Sequence, residues 1–212
     1  MLARPGTLLK PDAKPIMSET IMQLKELHVA RIGLVKDRTA ALTRQKTCQH
    51  RLIKKQLTER LAQIARQIEA LDHEIKAFIK ADEDLARRFE ILLCVPGLGP
   101  VTAFALIIEM PELGTLDTHQ AASLAGLAPV TRQSGNWIGK AFIRGGRANI
   151  RHVLYMPALV AIRHNPDLKA FYNRLIKDGK PPKVAIIAAM RKMLLIANAL
   201  VRDRRKWEPK RH

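Results

Sequence analysis

The 212-residue chain has few cysteines, no long apolar run and few acidic residues. Cys48 and Cys94 lie far apart, which excludes a disulfide framework and a Cys–His metal cluster of the usual spacing. No run of about 18 apolar residues occurs, so no membrane span is expected. Residues 1–15 lack the apolar core of a signal peptide. These absences fit a protein of the reducing cytoplasm.

Acidic residues are scarce beside basic ones, with 19 Asp plus Glu against 37 Lys plus Arg and a formal net charge of +18. Such a charge favours a polyanionic partner, because neutralising phosphates releases condensed counterions. We expect a nucleic acid; a ribosome-associated structural protein and a peripheral membrane protein are the alternatives. Apolar residues make up 47% of the chain, which is typical of a folded globular protein.

The pattern along the chain predicts four regions and a mainly α fold with at most a small strand pair. Residues 1–17 hold repeated proline and are expected to form a linker. Residues 18–88 are predicted to form a coiled coil that begins at Ser18 as helix N-cap. Residues 89–203 are predicted to form a compact helical domain around an apolar helix at 184–201. Residues 204–212 are expected to be a disordered basic tail.

The coiled-coil prediction depends on apolar residues that keep a strict 4,3 spacing from Leu57 onward. No Pro or Gly interrupts residues 53–93. So narrow a seam needs a partner helix, which is either residues 21–42 folded back or a second subunit. The first arm is less regular, with His28 and Thr39 on its seam. An ordinary amphipathic helix on a globular core is the alternative. The predicted seam residues are Ile21, Leu24, Ile32, Val35 and Leu42, then Leu57, Leu61, Ile64, Ile68, Leu71, Ile75 and Phe78.

A glycine-rich turn, Val95-Pro96-Gly97-Leu98-Gly99-Pro100, connects two predicted helices. Gly97 and Gly99 permit a positive φ and a close backbone approach, and Pro100 suits the first turn of a helix. The arrangement resembles a helix-hairpin-helix motif, whose backbone N–H groups bind a phosphate without reading sequence. A tight helix connection without a ligand is the alternative.

One hydroxyl, Ser134, lies in a basic segment with a predicted turn at 134–136. A serine becomes an effective nucleophile when a base accepts its proton or when cations stabilise the charge developing at phosphorus. The segment therefore fits transesterification of a DNA phosphodiester, and a plain Ser-Gly turn is the alternative. The residues expected to hold phosphates are Arg132, Lys140, Arg144, Arg147 and Arg151.

No metal site is predicted in this chain. Two-metal phosphoryl transfer needs several gathered carboxylates. Glu109, Glu112 and Asp117 flank a proline and a helix end, so we interpret them as capping or surface residues. His152 is expected to contact phosphate or solvent.

Several motifs carry a family resemblance when they are taken together. They are the 95–103 turn, Ala122-Ser123-Leu124-Ala125-Gly126-Leu127-Ala128-Pro129, Ser134-Gly135, Gly145-Gly146-Arg147-Ala148, Leu154-Tyr155-Met156, Arg163-His164-Asn165-Pro166 and Met190-Arg191-Lys192. This set resembles the C-terminal half of transposases of the IS110/IS116/IS902 type, and the resemblance covers nearly the whole chain.

The resemblance implies a three-part protein. Its parts are an N-terminal RuvC-like nuclease whose acidic residues bind a divalent metal, expected to be Mg²⁺, a coiled coil, and a transposase domain with a nucleophilic serine. That serine corresponds to Ser134 in the 129–135 pattern. The implied partners are DNA, a structured guide RNA and further copies of the chain bound through the coiled coil, at the bacterial nucleoid.

The beginning of the chain departs from this pattern. Met1-Leu2-Ala3-Arg4 resembles the stretch after the last acidic motif of the nuclease, so that domain and its metal ligands are expected to be missing from a truncated copy. Two functions therefore stand side by side. One is DNA transposition by site-specific recombination with Ser134 as nucleophile. The other is a catalytically inactive module that binds nucleic acid and oligomerises.

Overall fold

The computed structural model describes residues 18–131, 133–134, 137–139 and 141–208. Within these ranges the chain forms eight helices and four two-residue strands, which confirms the mainly α fold class. The linker predicted for residues 1–17 and the last four residues of the basic tail lie outside the described residues. Arg132 and Lys140 do so as well.

Local signals in the sequence set most of the helix starts. Ser18 caps the first helix by accepting a hydrogen bond from the N–H of Ile21. Asp117 forms a capping box with Gln120, as its predicted capping role requires. The helices are α1 (Glu19–Thr47), α2 (Arg51–Ala81), α3 (Glu83–Leu93), α4 (Pro100–Glu109), α5 (Thr118–Leu124), α6 (Ala148–His164), α7 (Pro166–Lys177) and α8 (Pro182–Arg202).

Helices α1 and α2 form an antiparallel hairpin. Gln45 donates to Thr58 near the turn at 3.1 Å, and Arg31 donates to both carboxylate oxygens of Asp72 further down. Residues late in α1 therefore face residues early in α2, and earlier residues of α1 face later ones of α2, so the second helix folds back on the first. Supercoiling and association with another subunit stay predictions.

The predicted seam is partly wrong in α1. On α2 the seam positions Leu57, Ile64, Ile68 and Ile75 are buried, in agreement with the spacing. On α1, however, Leu42 is 42% exposed, whereas its neighbour Ala41 is 1% exposed. Arg31 and Gln45 face α2 through their cross-links, so polar side chains occupy part of this face of α1.

A break at Asp82 separates α2 from α3, inside the stretch that contains no Pro or Gly. Asp82 has extended dihedrals (φ −107°, ψ 120°), and its side chain accepts from the N–H of Leu85 at 3.0 Å. Asp82 therefore forms the junction between α2 and α3. Helix α3 runs through residue 88, where the sequence predicts a domain boundary.

The hydrophobic core is built around α4. Phe104, Leu106 and Ile107 are fully buried, because the apolar helix is covered by α6 and by both hairpin helices. Leu24 and Ile75 at the base of the hairpin belong to the same cluster of buried residues. The hairpin therefore shares its base with the body of the protein. Further core residues are Leu92, Met110, Leu127, Ile150, Leu154, Met193 and Leu194.

Helix α8 is, among the described residues, the one helix long and apolar enough to cross a membrane, with a mean hydropathy of 1.9 over 18 residues. Arg191 and Lys192 interrupt its sequence, so it contains no continuous apolar run. Half of that window is buried inside the protein, with Met193 and Leu194 fully covered. The helix packs in the protein core through this face.

The chain continues to pack after α8. Arg204 adopts a positive φ of 50°, and the backbone N–H of Trp207 then donates to the sulfur of Cys94 at 3.0 Å. Trp207 packs against the core. The prediction of a disordered tail is therefore wrong as far as residue 207.

Candidate nucleic-acid interface

A double hairpin carries the serine singled out by the sequence. Strand β1 (Pro129–Val130) pairs with β4 (Phe142–Ile143), and β2 (Gln133–Ser134) pairs with β3 (Trp137–Ile138), both antiparallel. We call residues 129–143 the serine arm. The arm projects from the body, since Val130 and Phe142 at its inner ladder are 42% and 37% exposed.

Ser134 lies at the outer end of the serine arm. It pairs with Trp137, and the turn that the sequence predicts at 134–136 stays a prediction because residues 135 and 136 lie outside the described residues. The inner ladder pairs Pro129 with Ile143 and Val130 with Phe142. The backbone therefore places Ser134 on the outer of the two ladders.

The base of the serine arm is closed by two backbones in contact. Gly126 at the end of α5 and Gly146 before α6 have φ values of +65° and +61°. A Cβ on Gly146 would lie 2.3 Å from the Gly126 nitrogen, and one on Gly126 would lie 2.2 Å from the Gly145 oxygen. The N–H of Arg147 also donates to the Leu124 oxygen at 2.7 Å. Only glycine fits at both positions.

Two of the predicted phosphate-binding arginines hold this base together. Arg147 donates to both carboxylate oxygens of Glu112, at 2.8 and 2.7 Å, and to the backbone oxygen of Glu109. Arg151 donates to the backbone oxygens of Gly145 and Ala125. Both guanidinium groups therefore have partners within the chain, and they fix where the arm starts relative to α4 and α5.

The Arg147–Glu112 pair is electrostatically matched. The hydrogen bond from Arg147 holds the pKa of the Glu112 carboxyl below its usual range, and the same bond raises the pKa of Arg147. Both side chains are partly exposed, at 31% and 39%, so solvent weakens the pair. Because the charge of Arg147 is already paired, this residue orients the arm. The interpretation of Glu112 as a capping or surface residue missed this role.

Among the described basic residues next to the serine arm, Arg144 is the one that stays available to a ligand. It follows β4 directly, is exposed, and has no hydrogen-bond or ion-pair partner among the described residues. Helix α6 begins four residues later, with Arg147 as N-cap and no side-chain cap. The first N–H groups of α6 have no partner within the helix, and this end of a helix favours an anion. Arg132 and Lys140, which the sequence adds to this group, lie outside the described residues.

The glycine turn before α4 is only partly as predicted. Gly97 has a φ of +96°, and a Cβ there would lie 2.8 Å from the Pro157 oxygen and 2.9 Å from the Ala161 Cβ, so the approach that it permits is to α6. Gly99 has a φ of −89° and open space beside it, and the expectation of a positive φ there is wrong. Phosphate binding at this turn stays a prediction, and the open space at the turn lies beside Gly99.

The described residues contain no group of three His, Cys, Asp or Glu side chains placed to hold a metal ion. His152 is exposed on α6.

The part of the chain that contains these features matches a known family. Residues 89–173 match the family described as Transposase IS116/IS110/IS902, a stretch that includes the Gly97 turn, the serine arm and α6. The chain belongs to this family of transposases.

Individual relatives agree with this assignment. The pilin gene-inverting protein of Moraxella bovis is 35% identical over 149 residues, which cover 68% of this chain and 46% of the relative. The insertion element IS900 uncharacterized 42 kDa protein of Mycobacterium paratuberculosis is 32% identical over 159 residues, covering 70% and 39%. The corresponding 44.8 kDa protein of IS116 from Streptomyces clavuligerus is 31% identical over 161 residues, covering 73% and 40%. The chain spans less than half the length of these relatives.

Proposed function

We propose that this chain is the serine-bearing, DNA-binding part of a transposase, and that Ser134 is the nucleophile of DNA transposition by site-specific recombination. The observation that carries the proposal is the position of Ser134 at the outer ladder of an exposed arm with a fixed base. A nucleophile must be held in a set geometry and yet reach a phosphodiester. A short paired arm on a closed glycine base meets both requirements.

The proposed reaction is a transesterification. The Ser134 oxygen bonds to phosphorus, and the bond from phosphorus to one sugar oxygen breaks. The serine proton leaves to a base and a proton is returned to the departing sugar hydroxyl. The strand end is then held as a serine phosphodiester, and attack by another sugar hydroxyl reverses these steps on a new strand. One P–O bond is made and one is broken in each step, so no external energy source is needed.

Arg144 and the first turn of α6, at the base of the serine arm, are the groups that we assign to phosphates of the bound strand. Arg144 is exposed and unpaired within the described chain, and guanidinium groups bind phosphate oxygens in a bidentate manner. Arg151 keeps its remaining N–H donors for the same purpose, while Arg147 orients the arm through Glu112. Arg132 and Lys140 are proposed phosphate contacts on sequence grounds.

DNA, a structured guide RNA and further copies of the chain are the proposed partners, with the helical hairpin as the site of self-association. Exposed apolar side chains on the hairpin, Met22, Val29, Leu52 and Ile53, support the last point. We place this activity at the chromosome in the cytoplasm. The described residues do not fit a divalent metal, so we assign Mg²⁺ to acidic residues of the family outside this chain.

A covalent adduct tests the proposal. The chain is incubated with end-labelled nicked DNA, denatured and separated by electrophoresis, and we expect labelled protein that Ser134→Ala abolishes. Ser123→Ala is the matched control, because Ser123 is an exposed serine on α5 in the same domain. An adduct that survives Ser134→Ala overturns the assignment of the nucleophile.

The second candidate function is a catalytically inactive module that binds nucleic acid and oligomerises. Two observations favour it: the formal net charge of +18, which suits nucleic-acid binding, and the exposed apolar side chains of the hairpin, which suit self-association. It predicts salt-sensitive DNA binding with no adduct from either the wild type or the variants. The adduct experiment therefore distinguishes the two functions.

A further inference from the structure

A cavity of about 320 Å³ lies where α3, the turn after α4 and the end of α8 meet. Arg87 and Arg88 contribute from α3, and Arg202 and Arg204 from the end of α8, with Asp84 as the one acidic side chain of the lining. We call this site the arginine cavity. Four positive charges face one negative charge, and no described residue of the serine arm takes part.

Two of the four arginines make hydrogen bonds that position the lining of the cavity. Arg88 donates to the backbone oxygens of Pro111 and Leu113, at 2.9 and 3.2 Å, and its side chain is 15% exposed. Arg202 donates to Asp203 at 2.9 Å. These bonds shape the cavity, because they attach the turn after α4 to α3 and fix the end of α8.

The other two arginines are available to a ligand. Arg87 and Arg204 are exposed, and neither side chain has a hydrogen-bond or ion-pair partner among residues 18–131 and 141–208. Arg204 is also the one non-glycine residue with a positive φ within those ranges, because it ends α8 in a Schellman motif, in which the N–H groups of Arg204 and Arg205 donate to the Val201 and Leu200 oxygens.

The cavity is electrostatically unfavourable without a ligand. Burial lowers the pKa of Arg88, and the carboxylates of Asp84, Asp82 and Glu112 only partly offset this effect. The Nε donor of Arg88 is buried and has no hydrogen-bond partner. An anion with several acceptor oxygens would offset the repulsion between the positive charges of the lining.

We propose that the arginine cavity binds a phosphate group of a nucleic-acid backbone, as a second contact apart from the serine arm. Guanidinium groups match phosphate oxygens geometrically, and the volume admits a phosphate with its sugar. The negative end of the α8 dipole and Asp84 oppose an anion, but four full positive charges outweigh them. The inference rests on the proposed function in one respect, namely that the chain binds nucleic acid.

The double variant Arg87→Gln/Arg204→Gln removes the two unpartnered charges and keeps the bonds that shape the cavity. Binding of a short random-sequence DNA duplex and of a single strand is measured by fluorescence anisotropy across a salt series. Each lost phosphate contact should reduce the affinity about eightfold near 0.1 M salt and the salt slope by about 0.9 on the duplex. Arg38→Gln/Arg60→Gln is the control, because both are exposed, unpartnered arginines of the hairpin.

A loss with the cavity variant that clearly exceeds the control loss, at unchanged melting temperature, supports the inference. Equal losses in the two double variants overturn it. If inorganic phosphate raises the melting temperature of the wild type through the cavity while DNA affinity is unaffected by the variant, the site binds free phosphate and the nucleic-acid assignment is wrong. A missing serine adduct sinks the catalytic proposal alone, since the cavity is judged by affinity.

Discussion

Replacing Gly146 by Ala should destabilise the protein much more than replacing its neighbour Gly145, although both have a positive φ (+61° and +70°). The conformation alone costs an L-residue roughly 1–2 kcal/mol, and the stiffer unfolded chain offsets about half of that. Gly145 has open space beside it, so its substitution should lower the unfolding free energy by about 1 kcal/mol.

At Gly146 a steric term is added. A new Cβ would lie 2.3 Å from the nitrogen and 2.6 Å from the Cα of Gly126, and 2.7 Å from the Leu124 oxygen. All three atoms are backbone, so relief requires the end of α5 to move away from the start of α6. That movement breaks the bond from the Arg147 N–H to the Leu124 oxygen, and we expect a total cost of at least about 3 kcal/mol.

Urea unfolding and thermal melting measure the difference. For a chain of this length 1 kcal/mol corresponds to roughly 2–4 °C, so Gly146→Ala should lower the melting temperature by about 6–12 °C. Gly179→Ala provides a second control, because Gly179 has a φ of +76° and open space. If all three variants melt together, the base of the serine arm is not closed by the Gly126–Gly146 contact.

Three further predictions test other contacts. Glu112→Gln should lower the unfolding free energy by about 1 kcal/mol at neutral pH, screening included, and by less in acid. The bond from Arg147 depresses the folded pKa of Glu112, so its contribution is lost as the pH falls below the value of the free carboxyl. His28→Met should raise the melting temperature more at acidic than at alkaline pH, because burial lowers the pKa of His28 from 6.5 and protonation favours unfolding. Leu24→Ala should cost about 2–5 kcal/mol in urea unfolding, and Leu42→Ala under about 1 kcal/mol.

Each of these three predictions has an outcome that would contradict it. A Glu112→Gln effect that is constant from neutral pH into acid would show that the ion pair does not stabilise the fold. A pH-independent effect of His28→Met would mean that the imidazole near Glu109 is not disfavoured in its charged form. Equal costs at Leu24 and Leu42 would restore the seam that the sequence predicts.

Local signals were sufficient for most of the helices. Ser18, Asp117 and Pro100 stand at helix starts because capping and proline preferences act within three or four residues of sequence. These elements depend on neighbours along the chain, which a sequence shows directly.

Long-range partners could not be read in this way. Arg147 and Glu112 are 35 positions apart, and nothing in either neighbourhood indicates the other, so the sequence suggests a free phosphate-binding arginine where the fold forms an ion pair. Leu42 is a second case, because its spacing predicts a buried seam position and the fold leaves it exposed. The arginine cavity combines residues from three separate segments.

The segment from residue 109 to residue 115 is held from two sides, by Arg147 at Glu109 and Glu112 and by Arg88 at Pro111 and Leu113. It therefore works as a rigid spacer. A hydrogen bond to a charged group contributes roughly 1.5–3 kcal/mol, so thermal motion rarely changes its thickness. Two nucleic-acid strands bound on opposite sides of this segment would be kept at a constant separation. Any change in the distance between them would have to come from the nucleic acid.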